Sequence, residues 1–127
     1  MYQYSFEKLE VWMDSRAFVL DIYNLTKTFP AEERYSLCSQ MQRAAISIVS
    51  NIAEGVHRVS IKERIRFIEI SYGSLMETYC QLYIALDLKY LTNDRFLEMK
   101  EKIDKIANKL NSLSRSYKNM ESKNEEK

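Results

Sequence analysis

The stretch Ile61–Leu91, IKERIRFIEISYGSLMETYCQLYIALDLKYL, decides the fold. It contains no proline and carries two lines of residues at helical spacing. Ile61, Ile65, Ile68, Tyr72, Leu75, Tyr79, Leu82 and Leu86 form one; Phe67, Ile70, Ser74, Glu77, Gln81, Ile84, Leu88 and Leu91 form the other. Each line steps by three and four throughout, the repeat of a helix face that packs on other helices. At 3.6 residues per turn the two lines fall on nearly opposite sides. The segment therefore reads as a long helix with two faces to cover. A small bundle covers one face of each helix, and the second calls for another chain. The expected oligomer face comprises Phe67, Ile70, Tyr83, Ile84 and Leu88.

Breaks on either side delimit the other helices. Ser60 stands three residues before Glu63 as a capping box, and Gly55 ends the segment before it. Thr92, Asn93 and Asp94 are candidate caps for a following helix. Pro30, the only proline, stops the first segment and suits the first turn of the next, where Glu32 and Glu33 face the positive end. Four helices result, at about 5–28, 31–56, 61–90 and 94–117, in one domain over residues 1–118; the charged tail 119–127, NMESKNEEK, is expected to fray. Val11, Phe18, Ile22, Leu25 and Phe29 form a seam on the first helix, and Phe96, Met99, Ile103, Ile106, Leu110 and Leu113 one on the fourth. Short connections between long helices make neighbours antiparallel, so the predicted fold is an all-α, up-down-up-down four-helix bundle.

Composition agrees. A chain of 127 residues holds one core, and two Gly and one Pro leave few turn residues for a sheet. Nineteen Lys and Arg against 18 Asp and Glu exclude a global basic field. Cys38 and Cys80 lie in helical patterns without metal-type spacing, and the N-terminus lacks a signal peptide's pattern, which fits a reduced, cytoplasmic setting. No window approaches the roughly 18 consecutive apolar residues of a membrane span, so no membrane partner is expected.

The second helix carries a polar line, Gln40, Arg43, Ser47, Asn51 and Glu54, beside an apolar seam of Leu37, Met41, Ala44, Ile48 and Ile52. Gln, Ser and Asn are modest helix formers, so their choice suggests hydrogen bonding rather than solvation. Ser74, Glu77 and Gln81 on the third helix are the expected complement, with Arg43 pairing Glu77. A plain solvent face and a ligand-lined wall are the alternatives.

Motifs for catalysis are absent. Glu54 and His57 have the E-x-x-H spacing of di-iron bundles, but such sites need two of these motifs, and His57 is the only histidine. No phosphate-binding glycine loop occurs, and neither cysteine has a histidine nearby in sequence. The reading is a non-enzyme without metal or cofactor. Two basic patches are candidate nucleic-acid contacts. His57, Arg58, Lys62, Arg64 and Arg66 form the first; residues 95–118, with seven basic residues against three acidic ones, form the second.

The order FPAEERYSLCSQMQRAAISIVSNIAEG followed by SIKERIRFIEISYGSLMET resembles the four-helix-bundle protein family of large-subunit (23S) rRNA intervening sequences. Pro30, Glu33, Leu37, Gln40, Arg43, Ala44, Ala45, Ser47, Ile48, Asn51, Ile52, Ala53, Glu54 and Gly55 stand where that family's motif places them, as do Gly73, Ser74, Leu75 and Glu77. The likeness covers the chain to about Leu91. Val49 departs from it, the family commonly having proline there. The resemblance implies a ring-like homopentamer of antiparallel bundles. It extends to the accessory variability determinant proteins of diversity-generating retroelements, which implies RNA or a reverse transcriptase as a partner. The expected role is RNA or ribonucleoprotein binding through repeated basic patches, the alternative a protein-interaction scaffold.

Overall fold

A computed structural model describes residues 1–126. Among these residues there are four α-helices and no strand: α1 (Glu10–Thr26), α2 (Leu37–Val56), α3 (Ile61–Asp87) and α4 (Asn93–Glu126). Short 3-10 turns at Ser5–Lys8 and Ala31–Glu33 precede α1 and α2. Contacts between helices fix the directions. Ser71 and Ser74 of α3 meet Ile48 and Ser47 of α2, and Asp14 and Asp21 of α1 meet Lys109 and Lys102 of α4. In both pairs residue numbers rise on one helix as they fall on the other, so the bundle is antiparallel, up-down-up-down. Its axis is filled by Phe18, Ile22, Met41, Ile48, Ile52, Leu75, Leu82, Met99, Ile103 and Ile106, all essentially without exposure.

Local chemistry sets the ends. Ser60 Oγ accepts from the Glu63 amide at 3.3 Å, and Thr92 Oγ1 from the Arg95 amide at 3.1 Å, each satisfying a free donor of a first turn. α3 stops at Asp87, before the predicted 90, because Lys89 turns left-handed at φ 65°. The Tyr90 amide then reaches the Ala85 carbonyl and the Lys89 amide that of Leu86, both at 2.9 Å, the Schellman pattern of a helix C-terminus. α1 begins at Glu10 rather than 5, since extended Leu9 lets the preceding turn fold Phe6 back against Trp12. α2 begins at Leu37 rather than 31: Phe29 and Leu37 are both buried, and the chain between them must loop out. It then runs unbroken through Val49. α4 continues to Glu126, well past the expected 117, through residues that are mostly good helix formers; Lys127, the last residue of the expected tail, lies outside the described residues.

The burial of α3 departs from the two-line reading. Besides Ile68, Leu75 and Leu82, its buried residues are Ser71, Thr78, Gln81 and Ala85. Ser71, Thr78 and Ala85 recur every seven residues between the two lines, and this narrow strip of small side chains lets α2 approach closely. α2–α3 is the most extensive helix pairing of the bundle. Gly55 belongs to the same contact: a Cβ there would stand 2.6 Å from Phe67 Cβ. Half of the second line is left in the open, with Ile70 at 40 %, Ile84 at 45 % and Leu88 at 49 % exposure.

Candidate nucleic-acid interface and the polar line

The polar line of α2 divides on folding. Asn51 Nδ2 donates to the Ser47 carbonyl at 2.8 Å and to Ser47 Oγ at 3.0 Å, and Ser74 Oγ donates to Ser47 Oγ at 2.8 Å. Ser71 and Thr78, which the sequence reading passed over, add bonds to the carbonyls of Ile48 and Ser74, both at 2.9 Å. Gln81 Nε2 donates to Glu77 Oε2 at 3.3 Å, while its Oε1 is buried without a partner among the described residues. Gln40, Arg43 and Glu54 are exposed. The expected Arg43–Glu77 pair is absent from the ion pairs of the described residues; both groups are exposed, where water screens the attraction that would hold them together.

The two basic patches fare differently. On α4, Arg95 pairs with Glu98, Lys100 with Asp104, Lys102 with Asp21, Lys105 with Asp14, and Lys109 with Glu10 and Asp14; Lys118 approaches Glu69 at 3.9 Å. The second patch is thus largely neutralised by its own chain. Asp14 and Glu10, through hydrogen bonds to its ammonium, hold the Lys109 pKa above the ordinary lysine value.

The first patch keeps its charge. His57 caps the end of α2, and Arg58 follows it into the turn. Arg58, Lys62, Arg64 and Arg66 have no carboxylate within 4.0 Å among the described residues. The Arg58 guanidinium lies over the Phe67 ring, 4.6 Å from its centroid. Arg64 donates from Nε to the Arg58 carbonyl at 2.7 Å and lies 5.7 Å over the Tyr117 ring, which braces the turn. Burial pushes the Tyr117 phenol up, with Arg64 opposing. Arg66 and Lys62 are exposed, and Lys62 shares a shallow depression with Glu121 and Glu125. The N-terminal end of α3 adds its positive dipole to this cluster.

The proposed oligomer face is present only in part on one surface. Ile70, Tyr83, Ile84 and Leu88 are all exposed on α3. Phe67 is half-buried under Arg58, and Tyr83 turns toward α4, with its ring 5.0 Å from Tyr79 and 4.7 Å from Phe96. Between the exposed residues sits Gly73, where an added Cβ would meet nothing within 4 Å. Cys38 is buried and Cys80 exposed, both free. No helix of the described residues is long and apolar enough to cross a membrane.

Comparison with known proteins gives the family and the fold. The sequence pattern of the family described as 23S rRNA-intervening sequence protein matches residues 7–112. Among solved structures, the fold is similar to that of a protein of unknown function from the S23 ribosomal protein family of Bacteroides thetaiotaomicron VPI-5482. The TM-score is 0.77 at 24 % identity, over 83 % of this chain and 95 % of that one. No curated protein matches significantly.

Proposed function

The chain belongs to the 23S rRNA-intervening sequence protein family, and from that premise we propose that it is a non-enzymatic, cytoplasmic RNA-binding bundle that works as a homo-oligomer. The observation that supports RNA binding is the contrast between the two patches. α4 spends most of its cations on its own chain's carboxylates, whereas Arg58, Arg64 and Arg66 cluster at the turn into α3 with none. Cations left together without counter-charge repel one another, and phosphates relieve that cost by displacing condensed counterions.

Repetition of the cluster in an assembly strengthens weak phosphate affinity through effective concentration. The open apolar residues of α3, Ile70, Ile84 and Leu88, favour self-association. Gly73 sits mid-helix at a cost of about 1 kcal/mol relative to alanine, and no contact within the chain calls for it. A second copy packing closely there supplies a reason. The family resemblance favours a ring of five.

Three measurements test the reading. The full-length protein should retain a structured RNA at about 50 mM salt, with affinity falling steeply as salt rises and on Arg58→Glu or Arg66→Glu; failure to bind at low salt refutes it. Co-purification of a protein partner that is indifferent to RNase would favour the scaffold alternative. For assembly, light scattering should give a multiple of the 15.1 kDa chain that Ile84→Asp or Gly73→Leu reduces. A wild type that is monomeric at micromolar concentration removes the assembly.

A further inference from the structure

Beside the basic cluster lies a run of rings that the sequence reading did not single out. Trp12, at the start of α1, meets Phe6 with centroids 5.0 Å apart; Phe6 meets His57 at 5.6 Å; His57 meets Tyr4 at 6.3 Å; Tyr4 meets Tyr2 at 4.9 Å. All four contacts are edge-to-face, with interplanar angles of 69°, 88°, 85° and 79°. An edge-to-face contact occupies one face of one ring in each pair and leaves the other ring's faces uncovered by it. Tyr2 is 78 % and Tyr4 56 % exposed.

One cation lies at the Trp12 end of the run and another adjoins its middle ring. The Arg16 guanidinium lies 5.6 Å over Trp12, and Arg58 directly follows His57; neither has a carboxylate within 4.0 Å among the described residues. The segment that carries the tyrosines is held in place. The Tyr4 amide donates to Glu7 Oε1 at 3.0 Å, the Glu7 amide donates to the Tyr4 carbonyl at 3.1 Å, and Phe6 is clamped between Trp12 and His57. Glu7, the acid nearest the tyrosines in sequence, is thereby engaged with the backbone.

Open aromatic faces ordered next to uncompensated arginines are what a single strand uses. Its unpaired bases stack on the rings and its phosphates meet the cations, whereas in a duplex the base faces are already stacked on one another. We propose that this end of the bundle binds single-stranded RNA, with bases stacking on Tyr2, Tyr4 and His57 and phosphates meeting Arg58. The proposal rests on the RNA-binding reading and specifies the form of RNA it takes.

The test compares, by fluorescence anisotropy at about 50 mM salt, a labelled unstructured RNA of about 20 nucleotides with the duplex it forms with its complement. Single strand should bind about tenfold more tightly or better. The Tyr2→Ala/Tyr4→Ala protein should lose that preference with its salt slope unchanged, while Tyr2→Phe/Tyr4→Phe should keep it, since stacking needs the ring and not the hydroxyl. Both tyrosines lie outside the α-helices, so an unchanged thermal midpoint is expected. Equal affinity for the two RNAs, or an alanine variant that retains the preference, overturns this proposal and leaves RNA binding through the arginines standing. Absence of binding to both overturns the two together. Selective capture of an apolar peptide on the tyrosines, with neither RNA bound, would reassign the track to a protein partner.

Discussion

The α2–α3 and α1–α4 seams close the same bundle by different physics. Along α2–α3, small residues bring the backbones together: Ser71 bonds directly to the Ile48 carbonyl, and Gly55 leaves room for Phe67. Along α1–α4, the least extensive of the helix pairings, acids on one helix reach lysines on the other. Asp14, Ala17, Asp21, Lys102, Lys105 and Ile106 line an open depression of about 300 Å³ there. Close packing is specific in shape and insensitive to salt, whereas exposed ion pairs are tolerant in shape and weakened by it. The bundle thus has one close-packed seam and one ion-paired seam. The second also pairs the α4 lysines with carboxylates of their own chain, so the seam chemistry decides which basic patch is left without counter-charge.

The contrast breaks most readily at Gly55. Gly55→Ala should destabilise by about 1–3 kcal/mol, since Phe67 Cβ belongs to a helix that must move to admit the methyl group. A urea-unfolding midpoint equal to that of the wild type would show that the close approach is dispensable. Lys109→Ala should shift the midpoint less, and the difference should fade in about 1 M salt, where the Debye length is about 3 Å; a salt-independent loss would mean the lysine acts by packing. The pH dependence has the same origin. Because the folded protein holds the Lys109 proton more tightly, its contribution is complete below the ordinary lysine value of 10.5 and is lost as pH rises through the raised one. The alkaline loss should therefore be smaller in Lys109→Ala than in the wild type. Lys89→Gly, outside both seams, serves as the control. Relief of the left-handed conformation should stabilise by about 1 kcal/mol and leave the salt response unaltered.

Much of this was legible in the residues because it is local. Ser60 and Thr92 cap the helices they precede, and the seam of α1 and α4 is spaced as a buried face should be. Ser47 and Ser74 could be matched because both stand on lines of helical spacing. The strip Ser71, Thr78 and Ala85 was missed because small, weakly polar side chains carry no hydrophobic signal, although their repeat of seven was available. Arg43 and Glu77 were matched by charge alone, which does not hold two solvated side chains together.

By itself, the sequence determined the four helices, their antiparallel order and the cluster of basic residues after Gly55, for periodicity, capping and chain connectivity act within a few residues. Only the tertiary structure decided which side of α3 is buried, which cations remain uncompensated and that Tyr2, Tyr4, Phe6, Trp12 and His57 form one track. Those outcomes depend on groups far apart in the chain, such as Asp14 beside Lys109 or Phe6 beside His57. Their proximity exists only once the helices have packed, and no local pattern encodes it.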